Sequence, residues 1–297
     1  MEGSHTRIEC SMNCHKVKVA CDALKSIGDV VAVKFTKDTI ECQHSNAKAN
    51  VFIELKVYTD ELLNYKYESN EPEVIIGINP SKISADLPNK KTETLMMIYE
   101  DGRLEYGTYA TIQPNSAPSG TSDAKLCQCK IFNHISAEYP AQPNVRVTGV
   151  YFHKILNDIN KSSHEVYLRP YEKGLQFISV DMAKNPMMRK FIGEIDTLSS
   201  PLFYAPTYDN VTYNMIPGGR EHGIVHYDHL TNNYSDIVPL ILTSKLTDDT
   251  GLIKNYFHPD RDVPILFTGP ISSMERATWK TFIGNKPDDK VFSPSGY

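Results

Sequence analysis

Apolar residues recur along this chain in two rhythms, and the two rhythms occur twice in the same order. From Cys14 to Ile27 they fall three and four apart, at Val17, Ala20, Cys21, Leu24 and Ile27. That spacing predicts a helix with one apolar face and with Lys16, Lys18 and Lys25 on its flanks. Residues 30 to 45, VVAVKFTKDTIECQHS, then alternate on either side of the polar TKDT, which reads as strand, turn, strand. From Gly149 to Lys161 a second helical pattern buries Phe152, Ile155, Leu156 and Ile159 and presents His153, Lys154, Asn157 and Lys161. It too is followed by two alternating runs, EVYLRPYEKGLQFISVD at 165 to 181, hinged on YEKG.

A duplicated unit keeps its apolar positions at a constant offset after its letters have drifted. An offset of 135 carries Val17, Ala20 and Leu24 onto Phe152, Ile155 and Ile159, Val31 and Val33 onto Val166 and Leu168, and Ile40 and Cys42 onto Leu175 and Phe177. After about residue 45 this offset breaks, and an offset of 157 then carries Leu95 and Tyr99 onto Leu252 and Tyr256. Each later segment ends in a strand pair, TLMMIYEDGRLEYGTYATI and LIKNYFHPDRDVPILFTGPI. The ordered matches predict two similar α+β domains, each an antiparallel sheet system carrying helices on one face.

Length agrees, since 297 residues is about twice a usual domain. No run is apolar enough to span a membrane, and Met1 to Lys16 lacks the apolar core of a secretory signal, so an intracellular protein is expected. Six scattered cysteines fit a reducing compartment. The formal net charge of −5 gives no global attraction for nucleic acid, so any such contact needs a local basic patch.

Catalytic signatures are missing. The sequence holds no P-loop, dinucleotide fingerprint or nucleophile elbow. His222, His226 and His229 with Asp228 have the spacing of zinc ligands on a helix, but Gly223, Ile224 and Val225 make that helix poor and no HExxH glutamate is present. Cys10 with Cys14 and Cys127 with Cys129 lack CxxC spacing, and the latter pair reads as two core residues on the strand KLCQCKIF. A non-enzyme without metal or cofactor is expected, with a metal enzyme built on the three histidines as the remote alternative.

The stretch EVIIGINPSKISADL followed by ETLMMIYEDGR resembles the first-domain segment of eukaryotic and archaeal sliding clamps, the proliferating-cell-nuclear-antigen family. The opening HKVKVACDALKSIGDVVAVKFTKDTIECQHSNAKANVFIEL follows the same family pattern of helix, hairpin and returning strand. VRVTGVYFHKILNDI resembles the start of the second clamp domain, and DVPILFTGPISSMERATWKTFI its closing strands. The resemblance implies clamp domains at 1–132 and 146–297 joined by a connector at 133–145. Two stretches depart from it: TIQPNSAPSGTSDA, which reads as a flexible surface loop, and an insertion near 196–236.

What the resemblance implies is mechanical. Three chains would join head to tail into a ring around duplex DNA, helices inward, and would tether a DNA polymerase and other replication or repair factors through short peptides. The lysines placed for phosphate contact would be Lys16, Lys18, Lys25, Lys82, Lys90, Lys91, Lys154, Lys161 and Lys245. The peptide pocket would involve Ile131, Ile135 and Tyr139 of the connector region with Trp279 and Phe282, and alternation places the last two on opposite strand faces. Gln43, Ala47 and Lys48 stand where cellular clamps carry apolar residues or histidine, which fits a divergent clamp such as a virus encodes. The site of action would be the nucleus or, for a virus, its cytoplasmic factory. The alternative is a non-ring polymerase accessory factor that holds DNA by charge, as monomer or dimer.

Overall fold

The computed structural model describes residues 5–47, 50–89, 91, 93–109, 120–123, 138–162, 165–171, 174–180, 186–193, 203–207, 229–231, 233–258 and 263–284. The first half contains β1 (Arg7–Asn13), α1 (Cys14–Lys25), β2 (Val31–Phe35), β3 (Thr39–Ser45), β4 (Val51–Tyr58), β5 (Asn64–Glu68), β6 (Val74–Ile78), α2 (Pro80–Asp86), β7 (Thr94–Glu100), β8 (Arg103–Tyr109) and β9 (Gly120–Asp123). The second contains β10 (Val145–Thr148), α3 (Gly149–Ser162), β11 (Glu165–Tyr171), β12 (Gly174–Val180), β13 (Pro186–Gly193), β14 (Phe203–Thr207), β15 (His229–Thr231), α4 (Asn233–Ser244), β16 (Leu252–Tyr256), β17 (Ile265–Pro270) and β18 (Thr278–Ile283).

Local chemistry sets the element ends. Asn13 and Asn79 cap α1 and α2, their side chains accepting from the Lys16 and Lys82 amides at 3.1 and 3.0 Å. Pro80 at the first position of α2 has no amide to leave unpaired. Between β7 and β8 the chain reverses through Asp101 and Gly102, both at positive φ, the geometry that a two-residue hairpin needs and that Asp-Gly supplies.

The strands form three antiparallel sheets, ordered β5-β1-β7-β8-β9, β10-β16-β17-β18-β4-β3-β2-β6 and β14-β13-β12-β11-β15. The central eight-stranded sheet joins the halves, because β18 of the second pairs with β4 of the first from Thr278↔Lys56 to Ile283↔Val51. One continuous core fills the space between sheets and helices. The helices pack side by side, α2 on α1, α1 on α4 and α4 on α3, so a single helical layer crosses both halves. At the seam Trp279 is fully buried, donating from Nε1 to Thr247 Oγ1 at 2.8 Å, while Thr243 and Thr281 share a hydroxyl contact of the same length.

The duplication is visible in the fold, which corrects the sequence-based alignment in two places. The 135 offset does not break near residue 45; it continues, carrying Val51–Tyr58 of β4 onto Pro186–Gly193 of β13. The later offset is 158, not 157. Leu95 pairs with Met12 and Ile253 with Val147, and Leu95, Met97, Tyr99, Ile253 and Phe257 are all buried, whereas Leu252 is 42% exposed. Matching Leu95 to Leu252 aligns identical letters but opposite faces, since a one-residue slip turns every side chain over.

Part of the segment expected to be a flexible loop is ordered pairing: Gly120–Asp123 forms β9 against β8. Small polar residues make backbone ladder bonds as well as any others. The stretch KLCQCKIF and the connector residues before 138 lie outside the described residues. So does most of the 196–236 segment, although β14, β15 and the start of α4 fall within it.

Candidate nucleic-acid face and partner cleft

The helical layer and the opposite sheet face carry different chemistry. On the helical side Lys25, Lys82, Lys91, Lys154, Lys161 and Lys245 are exposed. Lys25 is paired with Asp22 at 2.5 Å. Burial disfavours the Asp22 carboxylate, but hydrogen bonds from Lys25 and Ser84 outweigh that and hold its pKa below the ordinary range. Lys90 lies outside the described residues.

Lys16 and Lys18 are not free for phosphate contact, contrary to the expectation that they project from the flanks of α1. The Lys16 ammonium donates to the Leu246 carbonyl at 3.2 Å and to Asp248 at 3.3 Å, bridging α1 to the second half. Burial opposes the Asp248 charge, while Ser272 and Lys16 together hold its pKa low. The Lys18 ammonium donates to the Ser84 and Leu87 carbonyls at the end of α2, the latter at 2.7 Å. A cation there satisfies orphan carbonyls and the negative end of the helix dipole. Burial of one helix against two neighbours, invisible in its own periodicity, draws both lysines inward.

On the other face, β18 alternates so that Trp279 enters the main core and Phe282 points away from the helices into a separate cluster. Phe52, Leu266 and Phe282 form that cluster, and Tyr139 and Tyr256 pack against it. The Tyr139 ring sits 6.2 Å from Phe282 and 6.3 Å from Tyr256, and its hydroxyl donates to the Pro264 carbonyl at 2.7 Å. Beside the aromatics, Lys280 binds Glu54 at 2.6 Å and Gln43 Nε2 donates to Glu54 at 3.0 Å. Gln43 Oε1 is buried without a hydrogen-bond partner. Ala47 is exposed in the β3–β4 loop, and Lys48, Ile131 and Ile135 lie outside the described residues.

Sequence reasoning missed Phe52, Tyr256 and Leu266. A signal existed for Phe52: on β4 it shares the face of Glu54 and Lys56 rather than that of Val51 and Ile53, so a large aromatic sits on an otherwise polar side.

The metal and thiol alternatives gain no support. His222, His226 and Asp228 lie outside the described residues, and His229 stands on strand β15, opposite Leu168, rather than on a helix. Among the described residues no group of three or more His, Cys, Asp or Glu is placed to hold a metal. Burial pushes the Cys10 and Cys21 thiols up to about 12, so neither is a thiolate at neutral pH.

No family model matches the sequence, and no curated protein matches it. Solved structures do. The PCNA of A. fulgidus, determined with the C-terminal region of FEN-1 bound, superposes with a TM-score of 0.65 at 12% identity, over 95% of this chain and 99% of that one. The PCNA2–PCNA3 complex of Sulfolobus tokodaii gives 0.64 at 12% identity over 94% and 99%, and PCNA of Thermococcus kodakaraensis 0.62 at 13% over 94% and 100%. Two repeated halves, a shared central sheet and a layer of helices α1 to α4 along one side therefore give this chain the two-domain α+β fold of the PCNA sliding clamps.

Proposed function

We propose that the chain is a DNA sliding clamp: three copies close into a ring, the helical layers turn inward, and duplex DNA passes through without sequence readout. The observation that carries this reading is the segregation of the two faces. Exposed lysines Lys25, Lys82, Lys91, Lys154, Lys161 and Lys245 lie on the helical side, and the aromatic cluster lies opposite. A local basic lining also answers the objection raised by a net charge of −5, because phosphate contacts depend on nearby cations and not on the molecular total. The role is non-catalytic: the ring holds DNA by topology and tethers enzymes that act on it.

Partners would dock as short peptides on the outer aromatic cluster, where the half-buried Tyr139 and Tyr256 supply apolar contact above the buried Phe52, Leu266 and Phe282. DNA polymerase and repair factors are the partner class. The test is retention on nicked circular DNA before and after linearisation at one salt concentration. A ring is held on the circle and runs off the linear form. Equal retention on both, falling steeply with salt, would instead establish an open clamp that binds by charge. Charge reversal at Lys25, Lys154, Lys161 and Lys245 together should weaken retention while leaving the fold intact.

A further inference from the structure

The internal duplication specifies how one copy should meet the next. Within the chain, β1-β7-β8-β9 corresponds to β10-β16-β17-β18, and β4-β3-β2-β6 to β13-β12-β11-β15. The halves join because the last strand of one series, β18, pairs antiparallel with the first strand of the other, β4. The chain ends the pattern with the complementary pair of strands, β9 on one sheet and β13 on another. Repeating the β18–β4 junction between copies therefore pairs β9 of one copy with β13 of the next, a heterologous contact that propagates head to tail.

The β13 edge is occupied. β14 pairs with it antiparallel from Arg189↔Thr207 through Lys190↔Pro206, Phe191↔Ala205 and Ile192↔Tyr204 to Gly193↔Phe203. Carrying the β4–β18 junction forward by 135 residues puts the intermolecular ladder on residues 186 to 191 of β13, so the two ladders overlap at Arg189, Lys190 and Phe191. In the first half the strand after β4 crosses to pair with β1 as β5, whereas in the second the strand after β13 turns back onto β13 itself, and β10 ends its sheet. One edge cannot serve two strands.

We propose that β14 is a built-in competitor for the assembly edge: the chain stays single while β14 covers β13 and joins a second copy only when the β9 edge of that copy displaces it. This rests on the ring reading above. β14 is a weak competitor by composition. Pro206 lacks an amide to donate to a ladder, and the strand is five residues long. It shields an edge that would otherwise pair indiscriminately, and its proline leaves that cover open to replacement by a strand with a full set of amides.

The experiment measures assembly of the full chain against concentration by sedimentation equilibrium, with two variants. Ala205→Pro puts a second proline beside Pro206 and, by ring sterics as well as the lost amide, weakens the hold of β14 on the β13 ladder. A weakening of about 1 kcal/mol, the size of one ladder bond, should lower the half-assembly concentration about fivefold. Arg189→Cys with Thr207→Cys places two thiols across a directly opposed pair, within the roughly 4.4–6.8 Å Cα range that a disulfide spans. Oxidised, this variant should remain single at every concentration, and reduction should restore assembly. Hydrogen exchange at residues 189–193 provides a second reading: single chains of Ala205→Pro should lose protection there while the rest of the core keeps it.

If the parent and both variants assemble along one curve, competition is overturned and the ring reading stands. If the parent and Ala205→Pro both stay single at all concentrations, competition is overturned and the ring reading falls with it.

Discussion

Lys18 provides the sharpest separation of scaffold from the proposed DNA surface. Its ammonium lies on two carbonyls that close α2, those of Ser84 and Leu87, and the side chain is part-buried between α1 and α2. Lys18→Met keeps the apolar stem but leaves both carbonyls without their donor and removes the cation from the helix C-terminus. A hydrogen bond to a charged group contributes about 1.5–3 kcal/mol, and the dipole term adds about 0.3–1 kcal/mol. Partial solvent access lets water recover some of this, so a loss of about 2 kcal/mol is expected. Lys25 is the control. Its ammonium pairs with Asp22, three residues earlier on the same helix, and 41% of its side chain is exposed; an exposed pair of this kind contributes about 0.5 kcal/mol. Urea unfolding of both methionine variants, read as midpoint shift at constant slope, measures the difference. If Lys18→Met costs no more than Lys25→Met, Lys18 is a surface cation and its assignment to the scaffold is wrong. The same comparison bears on function, because a charge reversal at Lys18 that weakened DNA retention would report damage to α2 and not a lost phosphate contact.

Three further outcomes follow from the geometry. Trp279→Ala, which empties a fully buried site at the seam and leaves the Thr247 hydroxyl without its indole donor, should destabilise by about 3–5 kcal/mol in calorimetry or urea unfolding. Asp158→Asn removes the charge paired at 2.9 Å with Lys190, whose side chain is 0% exposed, and should cost about 3 kcal/mol in the same unfolding assay; adding Lys190→Met to Asp158→Asn should recover part of the loss, because the buried cation is then removed as well. The Asp22, Glu41 and Asp248 carboxylates each resist burial but are held low by hydrogen bonds and ion pairs to Lys25, to Lys34 and Lys56, and to Ser272 and Lys16. Their unfolded pKa lies above the folded one, so their contribution is complete above the ordinary carboxylate range of about 4 and is lost as pH falls through the lower folded values; urea midpoints at neutral pH and near pH 3 should diverge accordingly, and less so in Glu41→Gln.

How much was legible depended on whether a position answers to its own neighbours in sequence or to another part of the chain. The helix over α1 and the hairpin of β2 and β3 were legible because periodicity and turn chemistry act within a dozen residues. The repeat of β4 in β13 was not, because PMMRKFIG starts on a proline and buries Lys190, whose charge is balanced by Asp158 from α3. The aromatic cluster on the sheet face was half legible. Alternation separated Trp279 from Phe282, but the ring of Tyr139 reaches Phe282 only through the fold, and Phe52 arrives there from β4.

The sequence by itself determined the repeated order of helix and strands and the apolar faces, since each follows from side-chain spacing and local backbone chemistry. Tertiary structure alone decided which lysines remain exposed, which register the later strands take and which edge β14 covers. Those outcomes turn on competition between distant segments for the same carbonyls, faces and ladder bonds, and no local pattern records which competitor wins.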